Sequence, residues 1–354
     1  MSAILNLVRP EIRELRPYVA AQFEAGMLRL NANETPWPPP GDQSADALNH
    51  YPEVRPLRLT RRLAEHYGLQ AEQLLVTRGS SEAIDLLVRC FCRAHQDDIM
   101  ICPPTFGMYE VYAQLQGAGT IHVPLVKADG FALDTDAIRR AWSNRCKLLF
   151  ICSPNNPTGN RFPTAEIDAL CEFVQGQGVV VIDGAYVEFA DEDPTVALLQ
   201  RHENVAILRT LSKALGLAGI RCGAVAASPA LIDLLGCILP PYSYPTPSQD
   251  VALACLDPGF RPEFQQRAAA LRAERERLAD QISQLPNVTK VWPSEANFLL
   301  VETATPGKLV AAAKSGGVLI RDFSRDSFTK NCLRITVGSS AQNDQLLAAL
   351  NRQE

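Results

Sequence analysis

Lys213 follows Ser212 in the stretch LRTLSKALGLAGIRCG (208–223), directly after an apolar run at 205–208, and Arg221 lies eight residues further on. A lysine placed there can form a Schiff base with a carbonyl carbon, although a solvated surface lysine is the ordinary fate of the residue type. Other unusual residues follow other apolar runs: Pro103-Pro104-Thr105-Phe106, Ser153-Pro154-Asn155-Asn156-Pro157-Thr158-Gly159 and Asp183-Gly184-Ala185-Tyr186. Together with Lys213 they match the needs of pyridoxal 5'-phosphate, which takes a Schiff-base lysine, a carboxylate for the pyridine nitrogen, donors to the ring hydroxyl, an aromatic ring face and an anion cradle. Asp183 is the candidate carboxylate, Asn156 and Tyr186 the donors, Phe106 the stacking ring, and Ser80, Ser81, Ser212 and Arg221 the phosphate cradle.

These residues require a particular scaffold. Apolar runs at 99–102, 121–125, 148–152, 179–182 and 205–208 alternate with helical patterns at 108–115, 135–142 and 165–174. Continuous apolar strands between helices predict an α/β fold with a mostly parallel sheet covered on both faces, which binds its ligands at the carboxyl ends of the strands. Upstream, a helix at 57–67 stops at Gly68, a strand at 74–77 leads into Arg78-Gly79-Ser80-Ser81-Glu82, and a helix follows over 83–93. A strand, a glycine turn and a helix start can hold a phosphate on free N–H groups, or can be a plain helix cap with Glu82 in the first turn. The proline-rich segment 29–40 reads either as a surface linker or as a stiff strip presenting side chains to a cleft.

Residues 1–28 read as an arm, interrupted by Pro10 and Pro17, that packs on the small domain or on a partner. Residues 29–250 form the large domain and 251–354 a small C-terminal α+β domain. Ahead of the boundary, 240–247 is a non-helical connection; beyond it, 263–285 is a solvated bridging helix, and the runs at 288–292, 296–301, 318–320 and 332–337 are strands interleaved with helices at 308–314 and 342–351. The 354 residues are 47% apolar and 21% charged, with a formal net charge of −5. That balance argues against nucleic acid or an anionic membrane as the principal partner. With no signal-peptide pattern and no long apolar run, the expected location is cytoplasmic. Ten scattered cysteines and five histidines share no ligand spacing, so no metal is expected, and the cysteines read as buried thiols.

At these positions the chain resembles the fold-type I pyridoxal-phosphate aminotransferases, and within them the histidinol-phosphate aminotransferases. The matching segments are LNANETPWP (30–38), YPEVRP (51–56), TRGSSEAIDLLVRCFC (77–92), PPTFGMY (103–109), CSPNNPTG (152–159), DGAYVEF (183–189), the stretch 208–223, PSEANFLL (293–300) and CLRITVG (332–338). The resemblance implies a large domain with a seven-stranded sheet, a small C-terminal domain, and a homodimer in which Tyr51 reaches the partner's cofactor phosphate. It implies ping-pong exchange of an amino group between L-histidinol phosphate and 2-oxoglutarate, with Arg334 anchoring the acidic end of the substrate, helped by Arg321, Tyr18 and Asn33. Either arginine could instead be a surface or interface salt bridge. The family usually carries Asp-Glu-Ala-Tyr where this chain has Asp183-Gly184-Ala185-Tyr186; the replaced glutamate is not a cofactor ligand, so the difference bears on the local hydrogen bonds. A threonine-phosphate decarboxylase, an aromatic amino-acid aminotransferase and a pyridoxal-phosphate-binding regulatory module are the competing readings, the last lacking a basic DNA-binding segment.

Overall fold

The strand-end pattern is realised in the computed structural model, which describes residues 3–21, 26–44 and 47–352. The first half of the chain runs α1 (Pro10–Arg13), α2 (Leu57–Tyr67), β1 (Leu74–Arg78), α3 (Gly79–Phe91), β2 (Asp98–Ile101), α4 (Met108–Gln116), β3 (Gly119–His122), α5 (Thr135–Ala141), β4 (Cys146–Cys152) and α6 (Thr164–Phe173). It continues through β5 (Val179–Asp183), α7 (Thr195–Arg201), β6 (Val205–Thr210), β7 (Cys222–Ala226), α8 (Pro229–Ile238), α9 (Thr246–Cys255) and α10 (Arg261–Ser283). The chain closes with β8 (Val288–Val291), β9 (Phe298–Thr303), α11 (Pro306–Ser315), β10 (Arg321–Asp322), β11 (Cys332–Thr336) and α12 (Ser340–Asn351).

Seven strands make one sheet in the order β1-β7-β6-β5-β4-β2-β3. The neighbours β6-β5, β5-β4, β4-β2 and β2-β3 are parallel, and β7 runs antiparallel to both β1 and β6. The apolar runs are unbroken because both faces are covered. Val180 and Ile182 of β5 join one core cluster and Val179 and Val181 join the other, each with a layer of helices. The register sets Asp183 beside Cys152 on one side and Leu208 on the other, so the loops after β4, β5 and β6 leave the same edge of the sheet together.

The second sheet, β10-β11-β9-β8, is antiparallel throughout and packs its inner face, Leu299, Val301, Leu333 and Ile335, against Leu278 and Ile282 of α10 and Leu346 of α12. α10 is therefore more than a solvated bridge. Its buried Arg275 donates from Nη1 to the carbonyls of Phe189 (3.4 Å) and Ala296 (3.1 Å), tying the turn after β5 to the entry of β9.

Several expectations are corrected. The described start of the N-terminal arm lies on the large sheet: Ile4 and Val8 are buried with Leu231, Ile232 and Leu235 of α8, and the Arg9 N–H donates to the Cys90 carbonyl of α3. Apolar side chains spaced four apart find the nearest uncovered helix face. α3 begins at Gly79 and not at residue 83, so both serines fall in its first turn. The run 318–320 is not a strand; pairing shifts to Arg321 and Asp322, opposite Arg334 and Leu333. The connection 240–247 is shorter than expected: α9 opens at Thr246 with Pro247 in its first turn, as suits a residue that has no N–H to lose there.

Candidate active site

Asp183 ends β5 with 2% of its surface exposed. A carboxylate buried that deeply is held in place by donors, and two are present: the Tyr109 hydroxyl donates to Oδ2 (2.8 Å) and the Ala185 N–H to Oδ1 (3.1 Å). Burial raises the pKa of Asp183, and these two hydrogen bonds and the charge of Lys213 oppose the rise. Tyr109 is fully buried, stacked on Phe150 at 4.7 Å and edge-on to Phe106 at 5.6 Å. Sequence reasoning passed over it, although it lies within PPTFGMY, because its partner is 74 residues away.

Lys213 sits beyond the end of β6 and is exposed, with Nζ 5.4 Å from the Tyr186 ring centroid. Its amine titrates below the usual lysine range, first through partial desolvation and then through the charges of Arg334 and Arg221, with Asp183 acting the other way. The Tyr186 ring is buried edge-on against Phe298 at 5.1 Å, and burial raises its hydroxyl pKa, so it is a neutral donor.

Asn156 is nearly buried, after a cis Ser153-Pro154 bond and before a cis bond to Pro157. Its Oδ1 accepts from Arg334 Nη1 at 2.5 Å, which leaves its amide nitrogen as the donor toward the cleft. Arg334, on β11, lies over the rings of Phe298 (5.3 Å) and Phe323 (5.4 Å), and its buried Nε has no partner. Arg321 stands directly opposite it in the β10–β11 register. Like charges at opposed positions repel, and both burial and Arg321 lower the pKa of Arg334. An anion between the two relieves this.

The residues expected to form a phosphate cradle meet around two glycines and an arginine. Gly79 adopts φ +74°, and a Cβ there would lie 2.7 Å from Arg221 Nη2; a Cβ on Gly223 would lie 2.5 Å from the Ser80 amide nitrogen. Only glycine lets β7, the start of α3 and the guanidinium come so close. Ser80 and Ser81 lie in the first turn of α3, where N–H groups lack helical partners. Arg221 donates from Nη1 to the Ala218 carbonyl (3.2 Å) and to Ser212 Oγ (3.5 Å), and Ser212 is set by Thr210, whose Oγ1 is 3.1 Å from the Ser212 N–H.

The remaining expected residues are less enclosed. Phe106 is half-buried. Tyr51 is exposed and stacks on Tyr242 at 4.7 Å. Asn33, in a left-handed conformation, and Tyr18 are both exposed, and among the described residues no hydrogen bond joins either to the Lys213 cluster. No cluster of three or more metal-ligating side chains occurs among the described residues.

The whole arrangement has relatives. The model of the family described as aminotransferase class I and II matches residues 27–350. Histidinol-phosphate aminotransferase of Xanthomonas campestris pv. campestris is 43% identical, with 100% of this chain and 98% of that protein aligned. Two solved structures share the fold: histidinol-phosphate aminotransferase from Clostridium acetobutylicum (TM-score 0.77, 20% identity, 86% of this chain and 90% of that one) and L-threonine-O-3-phosphate decarboxylase from Porphyromonas gingivalis (TM-score 0.72, 23% identity, 86% and 90%). With the match running the length of the chain and through every loop that builds the cleft, the chain belongs to the class I and II aminotransferase family.

Proposed function

We propose that this protein transfers the amino group of L-histidinol phosphate to 2-oxoglutarate, giving imidazole-acetol phosphate and glutamate, with pyridoxal 5'-phosphate as cofactor. The observation that carries the reading is the convergence of a buried carboxylate, a lysine of lowered pKa and a two-glycine anion cradle on one sheet edge. These residues fit the cofactor: Asp183 would face the pyridine nitrogen, Asn156 and Tyr186 would donate to the ring oxygen, Phe106 would cover the ring, and Gly79, Ser80, Ser81, Ser212 and Arg221 would hold the phosphate. When bound, the cofactor supplies a carbonyl for the amine and an electron sink for the carbanion. Lys213 Nζ, neutral more readily than an ordinary lysine, moves the proton that the substrate α-carbon releases. Asp183, whose ionised form is favoured by the Tyr109 and Ala185 hydrogen bonds and by Lys213 against the effect of burial, would supply the negative charge for the ring nitrogen. Arg334 and Arg321, with Tyr18 and Asn33 closing from the rim, receive the carboxylate of glutamate or the phosphate of the other substrate, since a guanidinium fork matches both.

Tyr51 is assigned to the cofactor phosphate of a second copy. Support comes from the segment that precedes it, where Leu28, Leu30 and Trp37 are each more than 75% exposed; exposed apolar surface of this kind marks an interface. Ten unpaired thiols, eight of them buried, suit the reducing cytoplasm.

The test is an assay of purified protein with histidinol phosphate and 2-oxoglutarate. Glutamate forms, the protein absorbs in the visible, and Lys213→Ala abolishes both the visible band and the transfer. Carbon dioxide from threonine phosphate without amino transfer would replace this reading with the decarboxylase.

A further inference from the structure

Behind the cofactor loop lies a group of ionisable side chains with no part in the chemistry above. Arg209, on β6 four residues before Lys213, is buried at 3% exposure. Its Nη2 pairs closely with Asp193, and its guanidinium carbon lies 4.9 Å from the Tyr67 ring centroid on α2. Its Nη1 has no hydrogen-bond partner, although it is buried, and stands 3.9 Å from Glu188 Oε1. Glu188 belongs to the single turn Val187–Phe189 that continues directly from Tyr186. The stem of this glutamate is partly exposed, but both carboxyl oxygens are buried without a hydrogen-bond partner. The Tyr67 hydroxyl nearby is likewise buried and unpartnered.

This turn is held from two sides. Arg275 and Arg272 of α10 donate to the carbonyls of Phe189 and Ala190 at 3.4 and 3.3 Å, fixing its far end to the second sheet's helix. Its near end is tied to β6 by the backbone, where the Gly184 N–H donates to the Leu208 carbonyl at 3.0 Å, and by side chains through the Glu188–Arg209 approach, which reaches past that bond to the turn beyond Tyr186. Gly184 leaves room there: a Cβ on it would stand 3.4 Å from the same unpartnered Nη1.

We propose that Glu188 and Arg209 are a positioning couple for the loop bearing Asp183 and Tyr186: ionised Glu188 closes onto Arg209 Nη1 and holds the loop against the Lys213 strand, and protonated Glu188 releases it. The only covalent change is loss of the carboxyl proton to solvent. Burial pushes the Glu188 pKa up to about 7, and the charge of Arg209 limits the rise while Asp193 adds to it. The other titratable neighbours do not change state in that window. Asp193 sits below the usual carboxylate range, burial and nearby arginines hold the His66 pKa down at about 4, and Tyr67 and the Cys222 thiol are pushed up by burial.

This inference rests on the reading of the Asp183–Tyr186 loop as the cofactor's seat. The test compares wild type with Glu188→Gln, whose amide cannot lose the proton. In the first arm, melting of the protein stripped of cofactor is followed from pH 5 to pH 8. Because the folded state holds the Glu188 proton above the pH at which the unfolded chain releases it, wild type loses stability relative to the variant across that range and the variant melts higher at pH 8. A melting difference independent of pH overturns the titration. In the second arm, with holoenzyme, kcat/KM of wild type falls as pH drops through about 7, whereas the variant is flat through that midpoint and about tenfold lower at pH 8, within what displacement of reacting groups by a fraction of an ångström costs. A variant whose pH profile superimposes on wild type overturns the coupling to the loop. The melting arm uses neither substrate nor cofactor, so it is decided separately from the proposed transamination.

Discussion

Tyr109 is the residue whose role only the folded chain reveals. Its hydroxyl satisfies one oxygen of a carboxylate that is almost wholly enclosed, and a hydrogen bond to a charged group contributes about 1.5–3 kcal/mol. Tyr109→Phe keeps the ring on Phe150 and removes only that donor. The Asp183 pKa, already raised by burial, rises further, and the neutral acid cannot pair with a pyridinium. Cofactor affinity therefore drops by roughly tenfold or more, and its loss on acidification begins at a higher pH than in wild type. Equilibrium titration of the visible band at several pH values measures both effects; equal affinities across the range would remove Tyr109 from the positioning of Asp183. By contrast, the gathering of Lys213, Asp183, Asn156, Tyr186 and Arg221 at one edge of the sheet was legible from sequence, because each follows or adjoins an apolar run or a glycine turn that gives away its place. Tyr109 had no such marker, being one aromatic on a helix face where core packing is the ordinary outcome.

At the scale of elements, the junction of β1, α3 and β7 depends on two positions without side chains. Gly79→Ala places a methyl against Arg221 in a left-handed backbone, a conformation that costs a non-glycine residue about 1–2 kcal/mol. The variant melts lower and releases cofactor into phosphate buffer at least tenfold faster on dialysis, while Gly219→Ala, where a Cβ meets nothing within 4 Å, behaves as wild type. A Gly79→Ala protein that retains cofactor normally would refute the cradle. The strands that sequence located, such as 148–152 and 179–182, announce themselves by burial on both faces. β7 escaped because Cys222-Gly223-Ala224-Val225-Ala226 is made of small residues, chosen by the close approach of α3 and not by hydrophobic bulk. β10 slipped to Arg321 and Asp322 for a different reason: an edge strand two residues long takes its register from β11, and no local pattern encodes that pairing.

For the whole molecule, the exposed side chains of Leu28, Leu30 and Trp37 frame the proposed second copy. Wild type elutes at twice the chain mass. Leu30→Glu elutes as a single chain and loses most transfer activity because no partner supplies Tyr51; a fully active single chain would show that each site is complete by itself. The resting protein also carries an uneven charge. Overall it is acidic, with a formal charge of −5, yet Arg321 and Arg334 face each other across one pair of strands and Arg221 stands at the cradle. The general surface repels small dianions, and one opening attracts them. Capture of glutamate or of a phosphate ester is thus a matter of long-range guidance before any shape is read, and the rate of encounter should sink as added salt shortens the reach of those guanidinium charges.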